Sequence, residues 1–346
     1  MSLQLQAGSQ AYQEIKEQGL TPNRIRMMVG ASGGPKWLML SRLDQYLSEH
    51  LLTRTEKPIT LLGSSVGAWR MACYARSDAT EAFRQFETIY LDQRYPKPIQ
   101  PEAISDYLKK VLNHLFPVTT AAQIVANTQR HLHIVAVRNR RPFNGRSKVA
   151  QGVPLLTAAL GNVISPSVVR ALYPRVVIGP SHSDSPYQSP PETIELTGEN
   201  LHEALIASGA IPMVMEPTRI QGGKDRWYWD GGVVDYHFAG PFALADGLVL
   251  YPHFSPRLIP GWFDKGLSWR RVRPENYRNV VLLTPTQDFI DRLPYGKIPD
   301  RKDFETLSDH ERERYWRTVL DATNHLVESL DTALQRDGGR SLLKPL

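Results

Sequence analysis

A serine between two glycines is the first feature of this 346-residue chain that could do chemistry. Ser65 stands in Gly63-Ser64-Ser65-Val66-Gly67, a G-x-S-x-G spacing in which small flanking residues allow a tight strand-to-helix turn. Such a turn holds the serine exposed as a nucleophile and points the N-terminus of the helix at a developing oxyanion. An ordinary strand-to-helix turn explains the same spacing, so the motif alone leaves both interpretations open.

A glycine-rich segment, Gly30-Ala31-Ser32-Gly33-Gly34-Pro35-Lys36-Trp37, stands earlier in the chain. It is not a P-loop, because Pro35 and Trp37 flank Lys36 where that loop requires Gly-Lys-Ser or Gly-Lys-Thr. It also lacks the G-x-G-x-x-G of a dinucleotide site. The functional interpretation that remains is an anion-holding turn whose free N–H groups form an oxyanion hole, with a plain helix-entry turn as the alternative.

A carboxylate at a strand end is the third candidate. Asp230-Gly231-Gly232 directly follows residues 226–229, which predict a strand. Taken alone, Asp-Gly predicts a turn. Active-site groups of α/β folds also gather at strand ends, so Asp230 is a candidate to act with Ser65.

The elements that must position these residues alternate between strands and helices. Residues 24–30 and 58–63 predict short buried strands, and each is followed by a glycine-rich turn. Apolar residues then recur at helical spacing from Trp37 to Leu47, and a second helix is predicted from Val66 onward. Two strand–turn–helix units within the first 75 residues are typical of a parallel α/β sheet.

Further elements are predicted along the rest of the chain. The predicted strands are 131–137, 247–251 and 280–283, with a hairpin formed by 218–221 and 226–229. The predicted helices are 81–91, 102–115, 200–209 and 308–334. Asn200 with Glu203, and Ser308 with Glu311, have the spacing of capping boxes. Residues 139–191 are rich in proline, glycine and serine, which favours an inserted cap or lid.

The composition is that of an ordinary globular protein, with 41% apolar and 22% charged residues. A single cysteine, Cys73, excludes an internal disulfide and fits a reducing compartment. The N-terminus lacks the pattern of a signal peptide, and no apolar run reaches the roughly 18 residues that span a bilayer. We therefore expect a cytoplasmic protein that could be peripheral at a membrane.

The formal charge of +6 bears on which molecules the protein could bind. Basic residues cluster twice, at Arg138, Arg140 and Arg141 and at Arg270, Arg271 and Arg273. A solvated basic face is one interpretation, and weak attraction to an anionic lipid surface is the other. Nucleic acid is not expected as a partner, because no recognised binding motif accompanies the charge.

The order and spacing of the three motifs resemble the patatin-like phospholipase family. That family has a G-G-x-R/K loop after its first strand, then G-x-S-x-G, and much later D-G-G or D-G-A. The most specific similarity is the approach to the aspartate, carried by Ala207-Ser208-Gly209-Ala210-Ile211-Pro212, Pro217-Thr218-Arg219-Ile220 and Trp229-Asp230-Gly231-Gly232-Val233-Val234-Asp235. The resemblance implies a three-layer α/β fold with a mostly parallel central sheet and helices on both faces.

The resemblance covers residues 24–240, which we expect to form the acyl-hydrolase core. Within it, 139–191 would be an inserted cap-like segment, and 241–346 would be a C-terminal extension packed on the core. The implied activity is hydrolysis of a lipid or other carboxylic ester through a covalent acyl-serine. The chain length of the acyl group, the oligomeric state and the pathway do not follow from the sequence.

The resemblance also implies roles for individual residues. Ser65 would attack the ester carbonyl and Asp230 would accept its proton, without a histidine. The N–H groups around Gly33 and Gly34 would bind the oxyanion, and Lys36 stands where the family has its basic residue. The supporting turn residues would be Gly63, Gly67, Gly231 and Gly232.

Four positions depart from the family pattern. Ser32 and Trp37 replace glycines of the oxyanion loop, and Trp37 could line the acyl pocket. Tyr236 and His237 follow Asp235, where the family often has asparagine.

Two other functions remain open. A Ser-His-Asp esterase of the α/β-hydrolase fold would use Ser65, Asp230 and either His237 or His253. A non-catalytic relative would use its apolar cleft and basic surface to bind lipid or a partner protein. No metal or organic cofactor is expected, because no His, Cys and Glu residues have ligand spacing and residues 286–291 lack the pattern of a calcium loop.

Overall fold

The computed structural model describes residues 2–96, 100–139 and 147–346. Its centre is one ten-stranded sheet. The strands are β1 (Leu3–Ala7), β2 (Ile25–Gly30), β3 (Ile59–Ser64), β4 (Arg130–Arg138), β5 (Arg175–Gly179), β6 (Glu192–Glu195), β7 (Tyr228–Asp230), β8 (Leu248–Pro252), β9 (Val280–Pro285) and β10 (Leu343–Pro345).

The order across the sheet is β10-β1-β9-β8-β2-β3-β4-β5-β6, and β7 pairs separately with β4. The five strands from β9 to β4 are mutually parallel, whereas β1 and β5 join them in antiparallel orientation. Strands β8 and β9 are buried along their whole length, as expected of parallel strands covered on both faces. The predicted three-layer α/β fold with a mostly parallel central sheet is confirmed.

The helices surround this sheet. They are α1 (Ser9–Gln18), α2 (Ser41–Tyr46), α3 (Val66–Ala75), α4 (Ala79–Leu91), α5 (Pro101–Leu115), α6 (Val118–Val125), α7 (Lys148–Ile164), α8 (Pro166–Leu172), α9 (Leu201–Gly209), α10 (Gln287–Asp291), α11 (Asp303–Thr306), α12 (Asp309–Ala322) and α13 (Asn324–Asp337). All ten residues of α3 are buried, so the helix that follows Ser65 lies inside the molecule.

Some predicted elements differ in detail. The helix predicted from Trp37 begins as a 3-10 helix at Gly34–Leu40 and becomes α-helical only at Ser41. The predicted hairpin is reduced to one bridge between Thr218 and Tyr228, because β7 pairs with β4 instead.

The two predicted capping boxes have different outcomes. Ser308 and Glu311 form one at the start of α12. Asn200 makes no capping hydrogen bond to α9, so that prediction is wrong. Its side chain is occupied elsewhere, because it accepts from the N–H of Thr197 and donates to the carbonyl oxygens of Glu195 and Gln221.

The predicted division at residue 240 does not follow the sheet. Strand β8 pairs with β2, and β9 pairs with β8, so residues after 240 complete the parallel core. Strand β5 likewise joins β4, and residues 175–179 therefore belong to the sheet although they lie within the predicted cap. Helices α7 and α8 precede β5 in that segment, and residues 180–191 follow it as turns and irregular structure.

Candidate active site

Ser65 lies at the turn between β3 and α3 with a φ of 56° and a ψ of −133°, a conformation that residues other than glycine rarely adopt. The turn is packed closely against the end of β2. A Cβ atom on Gly67 would overlap the carbonyl group of Gly30, and one on Gly63 would lie 2.5 Å from Cα of Ala68. The two flanking glycines are therefore required for close backbone approach.

Ser208 holds this turn from the opposite side. The N–H of Ser65 donates to Oγ of Ser208 over 2.8 Å, and that hydroxyl donates to the carbonyl oxygen of Val135 over 2.7 Å. The backbone of the serine turn is thus tied to both α9 and β4. Ser208 lies in the segment that resembles the family, but no sequence pattern indicated that its side chain would hold the turn at Ser65.

Strand β4 brings Asp230 to the serine. Ser64, the last residue of β3, pairs with Val135, and Asp230, the last residue of β7, pairs with the next residue, Ala136. Strand β3 thus pairs with the first part of β4, and β7 pairs with the residues of β4 that come directly after. Consequently Oγ of Ser65 donates a hydrogen bond to Oδ2 of Asp230 over 2.9 Å.

The glycines after Asp230 shape its surroundings. The N–H of Gly232 donates to Oδ1 of Asp230 over 2.7 Å, so both carboxylate oxygens accept hydrogen bonds. A Cβ atom on Gly231 would overlap the carbonyl oxygen of Val135, and one on Gly232 would lie 2.6 Å from Oγ of Ser32. The Asp-Gly-Gly sequence therefore allows the carboxylate loop to lie directly against β4 and the first glycine-rich loop.

Asp230 is buried, and this burial raises the pKa of its carboxyl above the ordinary value of 3.8. The positive charge of Arg301 and the hydrogen bonds from Gly232 and Ser65 oppose this shift. A carboxylate with a raised pKa is a stronger base, which suits the removal of a proton from a hydroxyl group.

The loop with Gly33 and Gly34 lies beside Ser65 and Asp230. Gly33 lines the cavity described below, and Gly34 begins a 3-10 helix, whose first N–H groups have no acceptor within the helix. Gly34 has a φ of +57°, and a Cβ atom there would lie 2.8 Å from Nε of Arg301. Gly33 thus shares the cavity with Ser65, and Arg301 packs against Gly34.

Ser65 and Asp230 open into a cavity of about 220 Å³. Its apolar wall includes Ile211, Pro212, Val233 and Trp262. An ester carbonyl and the carbon atoms next to it would fit in the cavity against this wall. A long acyl chain would extend out of the cavity.

The polar wall of the cavity is strongly basic. Lys36, Lys265, Arg301 and Lys302 line it, against only two acids, Asp230 and Asp300. Asp300 is engaged by the ammonium of Lys297 at 3.3 Å and by the N–H of Lys302 at 2.8 Å. The cavity therefore carries an excess of positive charge next to Ser65 and Asp230.

Burial, followed by the charges of neighbouring cations, lowers the pKa values of two lysines in this wall. Burial is the main cause for Lys36, and the pKa of its ammonium falls below the ordinary value of 10.5. The pKa of Lys265 is lowered to about 8, first by desolvation and then by the charges of Lys36 and Arg301. No motif predicted that Lys265 and Arg301 belong to the site, because they lie in the part of the chain that resembled no known family.

The two candidate histidines make no hydrogen bond to Ser65 or Asp230. Nδ1 of His237 accepts from the N–H of Ile259 over 2.9 Å, and Nδ1 of His253 contacts the backbone of Ser255. Both rings are buried, and desolvation lowers the pKa of His237 well below 6.5 and that of His253 to about 3. Neither ring donates a hydrogen bond to a carboxylate oxygen of Asp230; the oxygens accept from Ser65 and Gly232.

Trp37, Tyr236 and Asp235 lie in three different surroundings. Trp37 is buried against Phe86, with ring centroids 4.3 Å apart, so the prediction that it lines the acyl pocket is wrong. Tyr236 does line the cavity, and Nζ of Lys265 lies 4.2 Å from the centre of its ring. Asp235 is paired with Arg175 and accepts from the hydroxyl of Tyr187, which gives it a structural role.

The two basic clusters differ in their surroundings. Arg138 pairs with Glu192, whereas Arg140 and Arg141 lie outside the described residues. Arg270 donates to the carbonyl oxygen of Asn162 in α7, and Arg271 and Arg273 are exposed. Among the described residues, no three His, Cys, Asp or Glu side chains are placed to hold a metal ion.

A family model described as patatin-like phospholipase matches residues 51–243, more than half of the chain. The match includes Ser65 and Asp230 and begins after the loop that contains Gly33. Comparison with curated proteins found no match. In the part of the chain that the structure describes, no helix has the length and apolar character needed to cross a membrane. The chain belongs to the patatin-like phospholipase family, a family of lipid acyl hydrolases.

Proposed function

We propose that this protein hydrolyses carboxylic esters of lipids, with Ser65 as the nucleophile and Asp230 as the general base. The observation that carries the proposal is the 2.9 Å hydrogen bond from Oγ of Ser65 to Oδ2 of Asp230, made at a strained strand-to-helix turn that opens into a cavity.

In the proposed reaction Asp230 takes the hydroxyl proton of Ser65 while Oγ attacks the carbonyl carbon of the ester. The N–H groups of Gly33 and Gly34 stabilise the oxyanion of the tetrahedral intermediate. As this intermediate collapses, the alcohol leaves with the proton from Asp230, and the acyl group stays on Ser65. Water then attacks the acyl-enzyme with Asp230 again as base, and the carboxylic acid is released.

The charge of the cavity supports a substrate that carries an anionic group close to the ester. Lys36, Lys265 and Arg301 have no ion-pair partner among the described residues, so a phosphate there would meet uncompensated positive charge. We therefore propose that an ester with a phosphate is preferred over the same ester without one. Lysophosphatidic acid and monoacylglycerol of equal, short acyl length form the matched pair that measures this preference.

Hydrolysis of p-nitrophenyl esters of increasing chain length tests the reaction itself. We expect Ser65→Ala and Asp230→Asn to lose about four orders of magnitude or more in kcat while remaining folded. The variants His237→Asn and His253→Asn keep an acceptor near Nδ1 and should retain most of the activity. If either histidine variant is as inactive as Ser65→Ala and remains folded, the Ser-His-Asp alternative replaces the dyad.

If the wild-type protein hydrolyses none of the esters, the result would favour the non-catalytic alternative. The hydrogen-bonded Ser65 and Asp230 argue against that alternative, since a binding protein has no need for a strained serine next to a buried base. The proposed location is cytoplasmic, and the single, reduced and buried Cys73 fits that compartment.

A further inference from the structure

Helix α7 exposes a continuous apolar stripe. The side chains of Val149, Val153, Leu156, Leu160, Val163 and Ile164 are between 45% and 87% exposed. Their spacing of three and four residues places them on one face of the helix. Single exposed apolar residues are ordinary on a protein surface, but an aligned group of this size marks an interaction site.

The opposite face of α7 is anchored to the structure around Asp230. Ala158 is fully buried in a small apolar cluster with Trp229 and Val233, the residues on either side of the Asp-Gly-Gly turn. Asn162 donates to Oδ1 of Asp264 over 2.7 Å. The helix therefore has a fixed orientation, and its apolar stripe faces outward because the inner face is already occupied.

Helix α7 is joined to the segment that follows two residues of the cavity. Near the start of α7, Gln151 accepts a hydrogen bond from the N–H of Met213, which follows the cavity residues Ile211 and Pro212. Met213 and Val214 are themselves 49% and 47% exposed. Exposed apolar side chains are thus present both on α7 and in the segment that follows the cavity residues.

The far end of α7 is bordered by basic residues. Nη2 of Arg270 donates to the carbonyl oxygen of Asn162 over 2.7 Å, which fixes the segment of Arg270 against the helix. Exposed Arg271 and Arg273 follow directly, and exposed Trp269, 65% accessible, precedes it. Tryptophan and arginine beside an apolar helix face are the pattern of a surface that inserts into the headgroup region of an anionic bilayer.

We propose that the stripe of α7, together with Met213, Val214 and Trp269, docks on the surface of an anionic phospholipid bilayer and directs the mouth of the cavity toward it. The apolar side chains enter the boundary between headgroups and acyl chains, while Arg271 and Arg273 contact lipid phosphates. This inference uses the lipid substrate of the proposed function, but the binding it describes does not depend on the dyad.

Vesicle flotation tests the docking surface. Wild-type protein and the Ser65→Ala variant should both float with vesicles of phosphatidylcholine mixed with phosphatidylglycerol, and more weakly with phosphatidylcholine alone. The double variant Leu156→Asp/Leu160→Asp should lower the partition coefficient by about tenfold or more. Its matched control is Val118→Asp on α6, which replaces an exposed valine outside the stripe and should bind as wild type does.

The same double variant should hydrolyse a soluble short-chain ester at the wild-type rate, because neither leucine lines the cavity. Its hydrolysis of vesicle lipid should fall together with its binding. Arg271→Glu/Arg273→Glu should remove the preference for anionic vesicles and leave the binding to phosphatidylcholine.

Three results would overturn the docking proposal. Wild-type protein could fail to float with either vesicle, or the double leucine variant could bind as tightly as wild type. Light scattering could also show a wild-type dimer that the double variant converts to a monomer with unchanged vesicle binding, which would make the stripe an interface between copies of the chain. Loss of ester hydrolysis with intact vesicle binding would instead remove the proposed reaction and leave the docking surface standing.

Discussion

Ser65 occupies a backbone conformation that costs about 1–3 kcal/mol for a residue with a side chain. The surrounding contacts hold it there, since Ser208 receives its N–H and Gly67 packs without clearance against β2. Its hydroxyl then has one acceptor, a buried carboxylate whose pKa is raised. The strained backbone of Ser65 and the raised pKa of Asp230 are the properties expected of a nucleophile and its base, and both result from the contacts around these two residues.

Activity should fall in acid with a midpoint above the ordinary aspartate pKa of 3.8. Asp230 acts in its ionised form, so activity is full above its pKa and is lost as the pH falls through it. Profiles of kcat/KM against pH for a soluble neutral ester, between about pH 4 and 7, locate the midpoint. Arg301→Gln should move it upward, because the charge of Arg301 lowers the pKa of Asp230. An unchanged or lower midpoint in this variant would contradict the assignment.

A second ionisation should affect only substrates with an anionic group. Lys265 is charged below its pKa of about 8 and neutral above it, so KM for lysophosphatidic acid should rise as the pH passes that value. Lys265→Arg should abolish this rise, because arginine keeps its charge. Monoacylglycerol is the control and should show no such change. A rise of KM for both esters would assign the ionisation to the catalytic groups instead.

At the scale of elements, α3 is held by a buried ion pair. The guanidinium of Arg70 in α3 donates two hydrogen bonds of 2.7 Å to Asp44 of α2, and the hydroxyl of Tyr74 donates a third. Arg70 and Asp44 are almost completely buried. The pair therefore fixes the helix that follows Ser65 against its neighbour.

Removing one member of this pair should be strongly destabilising. Arg70→Ala leaves the carboxylate of Asp44 buried without its counter-ion, and the free energy of unfolding in urea should fall by about 3–5 kcal/mol. Exposed Arg317, which pairs with half-buried Glu313, provides the comparison, since Arg317→Ala should change stability by about 0.5 kcal/mol or less. Similar losses for the two variants would show that α3 does not depend on the buried pair.

The sequence predicted elements well where one local rule decides them. Strands β2, β3, β4, β8 and β9 are apolar runs because both of their faces are buried, and the predicted strands coincide with them to within one or two residues. The capping of α12 by Ser308 is equally local. Asn200 has the same local spacing, but distant carbonyl oxygens compete for its side chain. Such long-range competition cannot be read from spacing.

In the candidate site, too, some features were predicted from the sequence and others depend on the folded chain. Family resemblance predicted Ser65 and Asp230 as partners, and the loop of Gly33 as their neighbour. The register of β3 and β7 on β4, which brings the pair together, depends on the folded sheet. Lys265 and Arg301 reach the cavity from the C-terminal hundred residues through the packing of the whole chain, so no motif predicted them.

At the scale of the whole molecule, the family-matched residues 51–243 do not make up a complete sheet. Strands β2, β8 and β9 lie outside that range and form most of the parallel centre. The main apolar core extends from Leu3 to Leu342. Fold and active site therefore both need residues from the two ends of the chain.

A protein that ends at residue 243 should not fold. It lacks β8 and β9, so β2 loses its neighbour on one side and the buried apolar residues of both strands are missing. Far-UV circular dichroism with thermal unfolding should show no cooperative transition. The control is removal of residues 343–346, which deletes only the edge strand β10 and should leave a folded protein. Cooperative unfolding of the protein that ends at 243 would contradict this view of the core.

Labelling with a fluorophosphonate probe tests whether Ser65 forms the covalent intermediate with Asp230 as its base. Mass spectrometry should find one adduct per wild-type chain, located on Ser65. Folded Asp230→Asn should form the same adduct orders of magnitude more slowly, and folded Ser65→Ala should form none. An adduct on another residue, or labelling of Ser65→Ala at the wild-type rate, would contradict the dyad.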